Sequence, residues 1–315
     1  MSGESTDQLL GEACLSVVMA CFNEADTVAQ VTERVLSSPY TRELIAVDDG
    51  STDETLSVLK AISDPRLVVI AQPINRGKGA ALRRGFARAR GPLVIVQDAD
   101  LEYDPVDYPS ILAPLLENKA DVVYGSRFHT AQPHRVLYFW HSVGNKFLTT
   151  VSNMSTNLNL TDMETCYKAF RREVFEHIEL REDRFGFEAE VTAKVASGRW
   201  RIYEVGISYS GRTYSQGKKI GWRDGLWALY CIVRYSPLWA ALKERGGAPE
   251  WHQSELTADR QNASAGLGST DGQAIASGGS SGNSDREPPR RLNPFETNAT
   301  PTRESSTPRS SRPRR

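Results

Sequence analysis

The chain has 315 residues and a formal net charge of -1, with 38 Lys and Arg against 39 Asp and Glu. So even a balance lacks the basic footprint of a nucleic-acid binder. Its four cysteines, Cys14, Cys21, Cys166 and Cys231, show no metal-ligand spacing and read as reduced thiols of a cytosolic protein.

Met1 to Ala13 is polar and acidic, without the basic start and apolar run of a secretory signal, and reads as a flexible N-terminus. The core-forming composition runs from about residue 14 to residue 245. Within it, Leu15–Ala20, Leu44–Asp48, Leu67–Ala71, Leu93–Gln97 and Val122–Tyr124 are short aliphatic runs bounded by turn residues, the pattern of buried strands. Helical periodicity fills two of the gaps. Glu24–Ser37 sets Val28, Val31 and Val35 on one face, and Asp107–Glu117 does the same with Tyr108, Ile111, Leu112 and Leu115. A further short strand is expected at Lys168–Phe170. Alternating β and α predicts an α/β fold with a mostly parallel central sheet and helices on both faces. From Gly246 to Arg315 the chain is rich in Ser, Gly, Pro, Asn, Thr and Arg, a composition expected to stay disordered. The longest apolar stretch, Leu226–Leu242, is interrupted by Arg234 and is short of a membrane span.

Ligands of parallel sheets bind beyond the carboxyl ends of the strands. Polar sets follow five strands here: Phe22-Asn23-Glu24, Asp48–Ser51, Asn75–Gly79, Asp98–Asp100 and Gly125–Arg127. Asp98, Asp100 and Glu102 alternate, so an extended chain sets three carboxylates on one side. Mutual repulsion among them calls for a cation, and hard oxygen ligands suit Mg²⁺ or Mn²⁺. An isolated Asp-X-Asp equally fits a capped helix after a solvated acidic turn. In Asp48–Thr55, Gly50 permits a sharp turn and Ser51 or Thr52 can cap a helix starting near Asp53. Asp48 or Asp49 is then free to accept from a base or ribose. Asn75–Ala81 lacks the full phosphate-loop pattern. Its glycines are read as letting a helix N-terminus approach the metal site, with Lys78 supporting an anion or a carboxylate. Asp162–Lys168 leads into the sixth strand, and Arg212–Trp222, with its cations and glycines, reads as a mobile loop able to cover a diphosphate.

Taken in order, these strings resemble the family 2 glycosyltransferases of GT-A fold, over residues 14 to about 242. The branch resembled is that of the polyprenyl-phosphate sugar transferases, such as dolichyl-phosphate mannosyltransferases. That resemblance implies an inverting hexosyltransferase, moving a sugar from a nucleotide diphosphate, GDP-mannose or UDP-glucose, to a polyprenyl or dolichyl phosphate. It implies that Phe22, Glu24, Asp49, Lys78, Asp98 and Ser215 hold the donor, and that Asp98, Asp100 and Glu102 hold Mg²⁺ or Mn²⁺. Asp100, Arg127, Arg212, Lys218 and Lys219 are the implied catalytic set, with Arg127 the cation for the acceptor phosphate. Segments 136–151 and 220–242 resemble interfacial helices resting on a membrane.

Many members of that branch continue into membrane spans, whereas this sequence turns polar at Gly246. Membrane contact is therefore expected to be peripheral, at the inner face, through Tyr138, Phe139, Trp140, Trp222, Trp227 and Trp239. The bland reading of those aromatics is core or a homodimer face. Two rival functions remain: the same donor with a hydroxyl acceptor, which needs Asp162 or Glu164 as base, and a nucleotide-sugar binding protein without turnover.

Overall fold

The computed structural model describes residues 13–129, 136, 138–212 and 222–237. The expectations for residues 1–12 and for the tail from 246 lie outside them. Seven strands form one sheet: β1 (Leu15–Cys21), β2 (Thr41–Asp48), β3 (Leu67–Ala71), β4 (Leu93–Asp98), β5 (Val122–Ser126), β6 (Lys168–Arg171) and β7 (Ile202–Gly206). Their order is β3-β2-β1-β4-β6-β5-β7. All pairings are parallel except those of β6, which runs antiparallel to both β4 and β5.

The aliphatic runs become strands because each is covered on both faces. Along β1, β2 and β4 nearly every residue is buried, as expected of parallel strands between helix layers. Helices α1 (Val28–Ser37), α2 (Thr55–Ala61) and α3 (Lys78–Phe86) connect the first four strands. Helix α1 buries Val28, Val31, Thr32, Val35 and Leu36, spacings that draw one stripe on a 3.6-residue repeat. It starts four residues later than the periodicity predicts. Asn23 takes a left-handed backbone, φ 52°, and turns the chain first, and the amides of Thr27 and Val28 then bond Glu24 O at 3.1 and 2.9 Å.

After β4 a 3-10 turn, Pro105–Asp107, precedes helix α4 (Tyr108–Leu116). Asp104 accepts the Val106 amide at 3.0 Å and Pro105 stands at the first helical position, where its missing N–H costs nothing. Helices α5 (Phe139–Thr156), α6 (Glu173–His177), α7 (Phe187–Ser197) and α8 (Trp222–Tyr235) complete the described fold. Strand β7 and helix α7 escape a periodicity reading. Strand β7 is a half-buried edge strand, and α7 is buried almost all round, so neither shows a clean stripe.

Parallel register brings the polar strand ends together. Ala20 is level with Val47 and with Asp98, Cys21 with Asp48, and Asp48 with Ala71. Whatever follows these residues emerges along one edge of the sheet. All four cysteines are buried, and none forms a disulfide.

Candidate active site

A cavity of about 800 Å³ lies at that edge. Phe22, Glu24, Asp49, Lys78, Asp98, Asp100, Glu102, Arg127 and Arg212 all line it. Nine of the residues singled out in the sequence are thus brought to one place. Ser215, Lys218 and Lys219 lie outside the described residues.

The acidic turn is not extended. Strand β4 ends at Asp98, and Leu101 sits in the left-handed region at φ 64°, a conformation costing a branched residue about 1–2 kcal/mol. The cost is offset locally. Leu101 packs on the core, the Glu102 amide donates to Asp100 Oδ1 at 3.2 Å, and Arg212 Nε donates to the Asp100 carbonyl at 3.0 Å. The three carboxylates then diverge in their partners. Asp98 pairs with Lys78 Nζ at 2.9 Å. Glu102 accepts from the Tyr209 hydroxyl at 2.6 Å and from the Arg212 amide at 2.7 Å. Among the described residues Asp100 has no ion-pair partner: burial, then the charges of Asp98 and Glu102, push its carboxyl up to about 8.

The extended turn expected to set Asp98, Asp100 and Glu102 on one side is therefore corrected to a bent one. Among the described residues no three acidic, His or Cys groups form a ready metal cage. Yet the chemistry of Asp100 fits a divalent cation. It is a half-buried carboxyl, a hard oxygen donor whose proton affinity is raised by desolvation and by like charges, in a cavity large enough for further ligands.

Arg212 closes the side of the cavity where Glu24 stands. Its two terminal nitrogens reach Glu24 at 3.2 and 2.7 Å, a forked ion pair. Asp49 is only 2% exposed, and it accepts from the Gln72 side chain at 2.7 Å and from the amides of Arg76 and Gly77 at 2.8 and 2.7 Å. It thus organises the loop after β3, where the sequence left it free to meet a base. Asp48 likewise receives the Ser51 amide, at 3.3 Å. Nor do Ser51 or Thr52 cap α2. The Ser51 hydroxyl takes the Asn23 amide, and Asp53, one residue ahead of the N-cap Glu54, accepts the Thr55 amide at 3.0 Å.

The glycines before α3 serve another neighbour than the one expected. Gly77 has φ 106°, and a Cβ there would strike the Asp183 carbonyl oxygen. A Cβ on Gly79 would strike that of Glu182, and the Ala80 amide donates to Asp183 O at 3.0 Å. They admit the 182–184 segment rather than a metal ion. Gly77→Ala is expected to destabilise the protein by about 1–3 kcal/mol and to raise the donor KM more than it lowers kcat. Thermal unfolding and steady-state kinetics check this, and a wild-type Tm would refute the packing argument.

Arg127 ends the other side of the cavity. Its Nε and Nη2 donate to the two oxygens of Asp162 at 2.6 and 2.7 Å, and Nη2 also reaches Asn145 at 3.3 Å. Asn145 in turn donates to Asp162 at 3.0 Å. Burial opposes ionisation of Asp162, but the Arg127 charge and these hydrogen bonds outweigh it and hold the carboxyl below the usual range. Asp162 is fully buried and spent on this clamp, which removes it as the base of a hydroxyl-acceptor mechanism. Sequence reading missed Asn145, Tyr209 and Glu188. None sits in a motif, and each joins the site through a partner 18 to 110 residues away in sequence.

Both suspected interfacial segments are helical where described. Residue 136 precedes the first, which begins at Phe139 and runs on to Thr156. The second covers Trp222–Tyr235, and residues 220, 221 and 238–242 lie outside the described set. Helices α5 and α8 pack on each other. Phe139, Trp140, Val143 and Phe147 of α5, and Leu226, Trp227, Tyr230 and Val233 of α8, are exposed. Tyr138 is exposed as well, so these aromatics are not core. Trp239 and the side chain of Trp222 lie outside the described set. Among the described residues no helix is long and apolar enough to cross a membrane.

A family model described as Glycosyl transferase family 2 matches residues 16–179, just over half of the chain. The chain belongs to the family 2 glycosyltransferases. It is similar to a dodecaprenyl-phosphate galacturonate synthase of Rhizobium johnstonii, 30% identical over 212 residues, covering 65% of this chain and 61% of that protein. It is also similar to an undecaprenyl-phosphate 4-deoxy-4-formamido-L-arabinose transferase of Proteus mirabilis, 28% identical, covering 65% and 62%. The chain spans about three fifths of the length of these two relatives. Among solved structures it is similar to glucosyl-3-phosphoglycerate synthase of Mycobacterium tuberculosis, crystallised with Mn²⁺, UDP and glucosyl-3-phosphoglycerate. The TM-score is 0.57 at 19% identity, covering 79% of this chain and 87% of that one. That likeness shows the fold, which is GT-A.

Proposed function

We propose that the chain transfers a sugar from a nucleoside diphosphate, GDP-mannose or UDP-glucose, to a polyprenyl phosphate, with inversion, at a membrane surface. The observation that carries this is the layout of the cavity. An acidic end at Asp98, Asp100 and Glu102 faces the same space as a buried, rigidly clamped cation at Arg127. An ionised phosphate needs no base; it needs a cation that places it in line with the leaving diphosphate. Arg127 supplies that cation, and its fork to Asp162 fixes its direction. When bound, a divalent ion neutralises charge on the departing diphosphate. Asp100 would hold it, with Asp98 and Glu102 as the neighbouring acids, and Glu24, Phe22, Asp49 and Arg212 would frame the nucleoside side. Ser215, Lys218 and Lys219 are proposed to complete the cover over the phosphates.

The relatives' names support a lipid-phosphate acceptor. So do the exposed stripes of α5 and α8, since Trp140 (79% exposed) and Trp227 (44%) suit the headgroup zone. A hydroxyl acceptor would instead require a base. Glu164 is the carboxyl placed for that role, because burial and the charge of Glu188 push it up to about 7.

The test is a donor screen on the full chain with Mn²⁺ or Mg²⁺, reading release of GDP or UDP with and without a short polyprenyl phosphate. Release that depends on the lipid phosphate, with no pH limb near 7 that is lost in Glu164→Gln, is the expected result. Turnover only with hydroxyl acceptors, and loss of a pH limb near 7 in that variant, would replace this reading. Tight donor binding with no release under any condition would make the chain a binding protein.

A further inference from the structure

One wall of the cavity is acidic in a way that the attack of the phosphate and the departure of the diphosphate do not use. Glu188 stands in the first turn of α7 and is 5% exposed. Its Oε1 lies 3.2 Å from Lys78 Nζ, while its Oε2 is buried with no hydrogen-bond partner. Glu164, just ahead of β6, repeats the pattern with a buried Oε1 that has no partner. Both side chains line the cavity, and the raised proton affinity of Glu164 reflects burial first and the charge of Glu188 second. The nearby cations are already engaged. Lys78 bridges Asp98 and Glu188, and Lys168 donates to the Thr165 carbonyl.

These two desolvated carboxyl oxygens, without a hydrogen-bond partner among the described residues, are costly until a ligand brings hydrogen-bonding groups to them. Position tells which part of the ligand that is. Lys78 touches Asp98 and Glu188 at once, so the wall begins one ammonium away from the acids proposed to carry the metal and diphosphate. The group attached to a diphosphate lying there is the sugar.

We infer that Glu188 and Glu164 form the subsite for the transferred sugar and select a neutral sugar over a uronic acid. Hydroxyls of a neutral sugar donate to the unpaired oxygens. The carboxylate of a uronic acid would face two acids across a low-dielectric gap and be repelled. The inference rests on the donor-site reading above, and it sets this chain apart from the relative named as a galacturonate synthase.

Calorimetric titration of the full chain with Mn²⁺ tests it, using UDP, UDP-glucose and UDP-glucuronate beside GDP, GDP-mannose and GDP-mannuronate. In the nucleoside series the protein binds, the hexose is expected to bind at least tenfold tighter than the uronate. Glu188→Gln, an isosteric change that leaves Lys78 paired with Asp98, is expected to shrink that ratio at least fivefold. Glu164→Gln is expected to shift it in the same direction. A uronate bound as tightly as the hexose by the unmodified protein overturns the inference, whatever the fate of the variants. So does an unchanged ratio in both variants when they unfold at the wild-type temperature. Failure of every nucleotide to bind, UDP and GDP included, overturns the donor-site reading itself, and this inference with it.

Discussion

Asp100→Asn is expected to lower metal-dependent transfer by about 10³-fold while making the metal-free protein more stable at alkaline pH. The two effects share one cause. In the folded protein the Asp100 carboxyl sits at about 8, against about 3.9 for an unperturbed aspartate. The folded state therefore binds this proton more tightly than the unfolded chain. Stability from this group is full below about pH 4, falls as pH rises from about 4 to 8, and is lost above that. Asparagine is never charged and escapes the penalty, which is of order several kcal/mol as an upper bound. The same charge is what a divalent ion would meet. Thermal unfolding of both proteins without metal at pH 6 and pH 9, together with diphosphate release, checks the prediction. A variant with full activity, or one no more stable than wild type at pH 9, would remove Asp100 from the centre of the site.

Arg127→Ala is expected to be the most damaging single change to the fold of the site. It strands Asp162, fully buried, and breaking a buried pair from one side costs about 3–5 kcal/mol. At about 2–4 °C per kcal/mol for a domain of this size, Tm should fall by roughly 10 °C. Loss of activity in that variant alone would not separate structure from chemistry. A double change, Arg127→Met with Asp162→Leu, replaces the pair by apolar groups and should recover most of the stability, because both charges leave together. Transfer to lipid phosphate should nevertheless stay at least about 10²-fold down. Recovery of activity along with stability would show that Arg127 only braces the fold, and the acceptor would need another cation.

Much of this was legible without coordinates. Six strands, two helices and the polar residues after five of the strands follow from local pattern, because burial on both faces imposes unbroken aliphatic runs and parallel strands expose their carboxyl ends together. Glu24, Asp49, Lys78, Asp98, Asp100, Glu102, Arg127 and Arg212 could be gathered that way, each lying near an element end. The mate of each charge could not. Lys78 meets Glu188 only because the 182–184 segment packs on Gly77 and Gly79. Asp162 meets Arg127 across 35 positions because β6 enters the sheet antiparallel between β4 and β5. Sequence periodicity records which face of an element is buried, so it determined the sheet, its helices and the edge where chemistry collects. Ion pairing depends on distances of a few ångström between remote segments, so only the tertiary structure decided which carboxylates are already partnered and which still await a ligand.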